Sequence, residues 1–133
     1  MAWRDTALVS IGSAIGALLR VATGWAYAAL GLGATPLDTL TVNILGSLAI
    51  GALAALPLLH RNPAARLLLA TGVCGGFTTF SLFGVDTLAY WRETDWALAG
   101  LYAGVTVVAS ITAAAVGQIG ATRWCQRQRG GSA

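Results

Sequence analysis

Charged residues are scarce in this sequence. Lysine is absent, all eight basic residues are arginine, and only five residues are acidic, so 10% of the 133 residues carry charge. Soluble domains have about 25% charged and roughly 45–50% apolar residues, whereas 56% of this chain is apolar. A soluble domain this small leaves about a third of its unfolded surface in water. The apolar excess therefore excludes a soluble globule and predicts that lipid covers part of the protein.

Cysteine and histidine are too few for several kinds of site. Cys74, in an apolar stretch, and Cys125, in a basic tail, exclude a disulfide framework and lack zinc-ligand spacing. The single histidine, His60, lies in a loop without a nearby nucleophile, so an enzyme is disfavoured. The net charge of +3 does not indicate a nucleic-acid partner, because the arginines flank apolar stretches and act as signals of membrane topology.

Four apolar stretches are long enough to cross a membrane as helices, which takes about 20 residues for a hydrocarbon core of roughly 30 Å. The stretches are 7–30, 40–59, 67–91 and 96–118. They predict an all-α membrane protein with one four-helix domain over residues 1–122 and a basic, disordered tail over 123–133. The first stretch could instead be a cleaved signal peptide, because Ala26 and Ala28 form an A-x-A pattern. The charge of Arg20 within this stretch favours a span.

The arginines also predict the orientation of the chain. Four spans place both termini and the loop between the second and third spans on one side, and the opposite side holds only Arg92. The arginines of the first side are Arg4, Arg61, Arg66, Arg123, Arg127 and Arg129. Because positive residues favour the cytoplasmic side, we expect cytoplasmic termini.

Arg20 shares one helical face with Gly12, Gly16 and Gly24. Glycines at this spacing let helices approach closely, and a charge that faces lipid costs several kcal/mol. Arg20 therefore lies within protein or a water-filled crevice, or its side chain extends to a headgroup layer. The spacing leaves both readings open.

Polar side chains recur every fourth residue in the second and fourth stretches. They are Thr39, Asn43 and Ser47 in the second and Tyr102, Thr106, Ser110 and Gln118 in the fourth, where Ala114 interrupts the line. Such a line can border a narrow polar path or can hydrogen-bond a neighbouring helix, aided in the fourth stretch by Gly100 and Gly104. For the second stretch, spacing alone favours the bonding role.

Glycine makes the third stretch a poor helix. Gly72, Gly75 and Gly76 each cost roughly 1 kcal/mol relative to alanine, so we expect the helix to break between residues 72 and 83. Such a break must lie within protein or line a cavity or ion site, where freed carbonyls bind cations and the next helix N-terminus favours anions. Phe80 and Phe83 share a face after the break, and they either pack or turn their positive ring edges towards an anion.

Three motifs in order resemble those of the Fluc (CrcB) fluoride channels, small four-span proteins that export fluoride from microbes. Residues 12–20 read G-S-A-I-G-A-L-L-R, similar to the family's first-span G-G-x-x-G-A-x-x-R. Residues 39–47 read T-L-T-V-N-I-L-G-S and residues 75–81 read G-G-F-T-T-F-S, similar to its second-span and third-span motifs. One motif alone would be weak, but three in order across nearly the whole chain are specific. The resemblance implies passive, fluoride-selective export across the cell membrane.

The resemblance also implies a role for particular residues. The fluoride pore would include Asn43, Phe80, Phe83 and Ser110, with Tyr102 near one end and Arg20 drawing anions into a vestibule. Two subunits would assemble antiparallel and form two pores. A structural sodium ion (Na+) would lie at the centre of the dimer, bound by the backbone carbonyls of Gly75 and Thr78.

The chain departs from the family pattern at several positions. Ser13 stands where glycine is frequent, and Asp86 where glutamate is usual. Leu82 and Ala114 are apolar where threonine is frequent, so the polar track would be thinner, with Thr112 as a substitute on another face. The arginine bias of six to one also fits a heterodimer with an oppositely oriented paralogue, although a homodimer is the first expectation.

Two other functions fit a small four-span protein. A proton-coupled exporter of the small multidrug type needs a glutamate within the first span, where this chain has Arg20 and no acid after Asp5. A non-conducting membrane adaptor would use the polar lines only to bond its helices together. Fluoride flux from purified protein discriminates the channel from both.

Overall fold

The computed structural model describes residues 3–32, 35–93 and 95–130, and all regular secondary structure in this part of the chain is helical. Four segments are long and apolar enough to cross a membrane: Trp3–Ala29, Pro36–Ala55, Pro63–Glu93 and Trp96–Gln128. The prediction of an all-α protein with four spans is confirmed. Residues 1–2, 33–34, 94 and 131–133 of the expected domain and tail lie outside the described residues.

The spans are built from shorter elements. These are α1 (Trp3–Ala29), α2 (Pro36–Ala54), α3 (Pro57–Arg61), α4 (Pro63–Arg66), a π-helix (Leu67–Cys74), α5 (Gly75–Phe77), α6 (Phe80–Glu93) and α7 (Trp96–Gly130). Helix α7 continues through residues 123–130, where the sequence predicts a disordered tail. The physical reason is that arginine and glutamine are good helix formers and extend a helix that has already nucleated.

Proline and glycine mark the helix ends. The three prolines of the chain stand in the first turns of α2, α3 and α4, where the missing N–H has no intrahelical partner to lose. After α1, Gly31 has a φ of 75°. The N–H groups of Leu32 and Gly31 donate to the carbonyls of Tyr27 and Ala28, the bonding pattern that closes a helix at a left-handed glycine.

Helix α1 packs closely against the π-helix and α5. A Cβ atom on Gly16 would lie 2.6 Å from the backbone nitrogen of Phe77, and one on Gly72 would lie 2.8 Å from Cα of Gly12. Only glycine allows the two backbones to approach this far. The predicted close-packing role of Gly12 and Gly16 is confirmed.

Helix α2 forms the second close pair, with α7, which also contacts α6. A Cβ on Gly51 would lie 2.9 Å from Cα of Ala114, so Ala114 packs directly against α2 at this glycine. Among the described residues, Gly100 and Gly104 have no neighbour within 4 Å of a would-be Cβ. Contrary to expectation, these two glycines do not bring α7 close to another helix of the same chain.

The surface of the protein is largely apolar, and polar side chains are buried within it beside apolar ones. Large apolar side chains such as Leu18, Trp25 and Ile111 are exposed, whereas Thr39, Thr79 and Thr106 are buried. Apolar side chains favour the outer surface when lipid surrounds the helices, because the bilayer core offers no hydrogen-bond partners. The buried threonines therefore mark where polar groups gather inside the protein.

Candidate functional site

The third span is interrupted at Thr78 and Thr79. Thr78 is extended, with φ −74° and ψ 158°, and helix resumes at Phe80. The glycines that predicted a break lie before it and are helical, as shown by φ −65° and ψ −35° at Gly75. A Cβ on Gly76 would lie 2.7 Å from Cα of Ser13, so this glycine permits contact with α1. The interruption itself lies on two threonines.

A side chain of α2 satisfies the backbone at the interruption. Asn43 Nδ2 donates to the Thr79 carbonyl at 3.0 Å, and the Thr79 N–H donates to Asn43 Oδ1 at 2.8 Å. Thr79 Oγ1 in turn accepts from the Leu82 N–H at 3.2 Å and so caps the N-terminus of α6. Thr79 is only 5% exposed, so without Asn43 its N–H would be buried and unpaired. Its carbonyl, as the N-cap carbonyl of α6, also accepts the first bond of that helix.

These bonds free two carbonyl oxygens. In a continuous helix the Thr79 N–H would bond the carbonyl of Gly75, and the Leu82 N–H would bond the carbonyl of Thr78. Both N–H groups bond other atoms instead. The space beside Gly75 is open, with no atom within 4 Å of a would-be Cβ. The carbonyls of Gly75 and Thr78 therefore lack their usual helical donors.

A crevice of about 250 Å³ lies beside the interruption, between α2, α6 and α7. It is lined by Asn43, Ser47, Thr79, Phe80, Phe83, Thr106, Val107, Ser110 and Ile111. Four of the sequence-predicted site residues, Asn43, Phe80, Phe83 and Ser110, thus meet around one space. The polar line of the second stretch lines the crevice from α2, and that of the fourth stretch lines it from α7.

Unused hydrogen-bond donors face this crevice. The buried hydroxyl of Ser110 has no hydrogen-bond partner in the described part of the chain. The Asn43 amide has two N–H groups, and one of them is bonded to Thr79. Thr106 differs, since its hydroxyl donates to the Tyr102 carbonyl of its own helix at 2.8 Å. Ser110 and Asn43 are therefore two groups that can donate to an anion.

Aromatic rings form the other wall. Phe80 is 84% exposed, and its ring centroid lies 5.5 Å from that of Phe83. Phe83 in turn lies 5.9 Å from Tyr102. The Tyr102 ring is buried behind Phe83 and does not line the crevice, and its hydroxyl donates to Asp86 Oδ2 at 3.2 Å. Tyr102 thus supports the wall from behind.

Arg20 lies apart from these residues, at a second cavity of about 30 Å³. The lining residues are Arg20, Asp38, Thr39, Val42, Thr79 and Leu82. This position favours the reading in which Arg20 faces a cavity within the protein. Thr79 lines both spaces, so the smaller cavity adjoins the crevice.

Leu82 and Ala114, the two apolar residues expected to thin the polar track, do not line the crevice. Leu82 lines the smaller cavity, and Ala114 contacts α2 at Gly51, so neither lines the crevice. Thr112 is exposed and bonds the Val108 carbonyl of its own helix at 2.8 Å, which rules it out as a substitute in the track. The track within the crevice is therefore not thinned at these positions.

Thr79 is the residue that sequence reasoning missed. The motif containing it draws attention to its glycines and phenylalanines, and Asn43 has no visible partner in the sequence. A signal was present, because threonine directly before a helical run is a favoured N-cap. Its pairing with a residue of another span has no sequence signature.

Comparisons with known proteins agree over most of the chain. Residues 7–118 match the family described as CrcB-like protein, Camphor Resistance (CrcB). The fluoride-specific ion channel FluC of Hyphomonas neptunium is 48% identical over 83% of this chain and 89% of that protein. The fluoride-specific ion channel FluC of Paramagnetospirillum magneticum is 40% identical over 87% of this chain and 94% of that protein. FluC 1 of Thermobifida fusca is 43% identical over 90% of this chain and 97% of that protein. The matched range contains every residue that lines the two cavities.

Proposed function

Since the chain belongs to the CrcB family, we propose that it is a fluoride-selective channel of the cell membrane, through which fluoride leaves passively and its cytoplasmic concentration falls. The observation that carries the proposal is the crevice where donors of Asn43 and Ser110 face the rings of Phe80 and Phe83. The relatives that are named fluoride-specific ion channels support the choice of ion.

The chemistry of the crevice suits a small anion. Fluoride is strongly hydrated, so a selective path must return much of its hydration energy through close donors. The unpaired Ser110 hydroxyl and the second N–H of Asn43 are two such donors, and ring edges carry partial positive charge. Chloride is larger and would be excluded chiefly by size.

Arg20 and Tyr102 act beside the crevice in this proposal. Arg20 lines the adjoining cavity, and its positive charge would raise the local concentration of anions. Tyr102 holds Phe83 in place through ring contact, and its own hydroxyl is tied to Asp86. We assign Tyr102 to one end of the path as a support for the aromatic wall.

A second subunit would complete the path. Phe80 is almost fully exposed in one chain, and Gly75, Gly100 and Gly104 have open space beside them. The interruption at residues 78 and 79 lies near the middle of the span Pro63–Glu93, so we propose that it lies near the centre of the membrane. An antiparallel dimer would bring two such interruptions together, and we propose a homodimer.

The freed carbonyls fit the sodium ion that the family resemblance implies. Carbonyl oxygens coordinate Na+ without need of a particular side chain, and Gly75 and Thr78 of each subunit would supply two. When bound, the ion would supply positive charge that holds the two interruptions together. When sodium is exchanged for a large organic cation, we expect the dimer in detergent to dissociate into monomers after less dilution of the protein. A dimer that is equally stable in both salts would contradict the sodium site.

The deciding experiment is fluoride efflux from liposomes that contain the purified protein. We expect rapid release of fluoride and retention of chloride, with protein-free liposomes as the control. Absence of fluoride release from folded protein, both alone and with an oppositely oriented paralogue, would contradict the channel. The same result would revive the adaptor as the explanation of the polar lines.

A further inference from the structure

Two opposite charges line the same small cavity without forming an ion pair. Arg20 extends from α1 and Asp38 from the first turn of α2. Within the described part of the chain, the Arg20 guanidinium has neither an ion pair nor a hydrogen bond. The cavity of about 30 Å³ has room for about one or two water-sized species. A hydrated or bare fluoride ion passing Arg20 would therefore also pass Asp38.

The carboxylate of Asp38 is held in place. Its Oδ1 accepts from both the N–H and the hydroxyl of Thr39. Its Oδ2 lies beside Gly24, where a Cβ would be 3.7 Å away. Gly24 stands one helical turn beyond Arg20 on the same face of α1. The negative charge thus lies against the face that presents the guanidinium, and its direction is set by Thr39.

The position of this charge matters because the cavity adjoins the crevice through Thr79. A guanidinium without an opposing charge in a partly dry space would hold fluoride firmly, and conduction needs binding that is weak enough for release. A fixed carboxylate nearby reduces the attraction, since Coulomb energy is large at short range in a protein interior. We infer that Asp38 is a counter-charge to Arg20 and limits how firmly fluoride is held beside the crevice.

The inference rests on the proposed channel function and is tested by Asp38→Asn in the full-length protein in liposomes. Asparagine keeps the side-chain shape and the Oδ1 acceptor for Thr39 but removes the charge. We expect fluoride flux at low fluoride concentration to rise about two- to ten-fold, because the ion is bound more firmly. At saturating fluoride the gain should disappear and flux should fall below that of the unmodified protein, because release is slower. A change in packing alone would alter both fluxes by the same factor.

Glu93→Gln is the matched control, because Glu93 is an exposed acid at the same end of the bundle as Asp38. This variant should conduct like the unmodified protein. Asp38→Ser is a second neutral variant in case Asp38→Asn folds poorly. If the unmodified protein shows no fluoride flux, the proposed channel function itself is overturned. Two results overturn the role of Asp38 when the unmodified protein does conduct. One is that the folded, neutral variants of Asp38 show no gain in flux at low fluoride concentration, and the other is that Glu93→Gln shows the same gain.

Discussion

The side chain of Asn43 is bonded to both backbone groups of Thr79, at 3.0 Å from Nδ2 to the carbonyl and at 2.8 Å from the N–H to Oδ1. A residue of α2 thereby supplies the acceptor that the Thr79 N–H lacks within the third span. Asn43 also lines the crevice, and its amide has a second N–H beyond the one that is bonded to Thr79. In the proposed channel, the group that holds the interrupted backbone is also a group that meets the ion.

Replacement of Asn43 should affect both stability and conduction. In Asn43→Leu the buried N–H of Thr79 loses its acceptor, at a cost of about 1–3 kcal/mol. We expect a lower unfolding temperature in detergent and loss of fluoride flux. Asn43→Asp keeps the acceptor for Thr79 and should unfold at a higher temperature than Asn43→Leu, yet its negative charge should also prevent fluoride flux. An unfolding temperature unchanged in Asn43→Leu would show that the pair does not support the fold.

The rings of Phe80 and Phe83 should matter for flux rather than for assembly. Isoleucine keeps the apolar volume but has no positive ring edge, so we expect lower fluoride efflux from Phe80→Ile and Phe83→Ile. Size-exclusion chromatography should show the same oligomer as the unmodified protein. Phe77→Leu is the control, because the Phe77 ring packs near Gly46 of α2 and does not line the crevice. Equal flux in all three variants would mean that the rings only pack.

Ser110→Ala separates a conducting role from a structural one. The Ser110 hydroxyl is buried without a partner within the described chain, so its removal should not lower the unfolding temperature. Fluoride efflux should fall by about tenfold, the equivalent of one hydrogen bond to an ion. Thr112→Ala is matched to it, since Thr112 lies on the same helix but is exposed and outside the crevice. Efflux from Thr112→Ala should be unchanged, and a loss in both variants would argue for a general effect on α7.

Close contact between α1 and the third span should make Gly16 intolerant of any side chain. A Cβ there would lie 2.6 Å from the Phe77 nitrogen, and the atoms it meets are backbone, which cannot move aside. We expect Gly16→Ala to cost about 1–3 kcal/mol or more and to lower the yield of folded protein and its unfolding temperature. Gly120→Ala has open space around it and should be neutral or slightly stabilising. Equal stability of the two variants would contradict the packing.

The orientation of the chain can be measured with a C-terminal tag that is accessible from only one side of the membrane. An antiparallel homodimer requires that the tag occur on both sides in the same cells, and this is the expected result. The arginine bias of the sequence opposes it. Labelling on the cytoplasmic side alone would exclude the homodimer and favour a heterodimer with an oppositely oriented paralogue.

Much of the candidate site follows from local patterns in the sequence. The family motifs imply a shared site for Asn43, Phe80, Phe83 and Ser110, and the structure gathers these residues around one crevice. Spacing alone indicates only that they lie on polar lines or on a shared face. The glycine cluster predicts irregular backbone near the right place, although the interruption falls on Thr78 and Thr79. The difference arises because Gly72 and Gly76 are needed where α1 approaches, a demand that a single span does not reveal.

Composition and periodicity were sufficient for the four spans and the membrane location, and the motifs that resemble the family lie within single spans, because each of these features depends on residues that are neighbours along one helix. Tertiary contact alone decided which atoms break the third span, since the Thr79 N–H leaves its helix only when Asn43 Oδ1 is within reach. It also decided that Arg20 and Asp38 share a cavity. Those two charges belong to different helices, and no pattern within either helix brings them together.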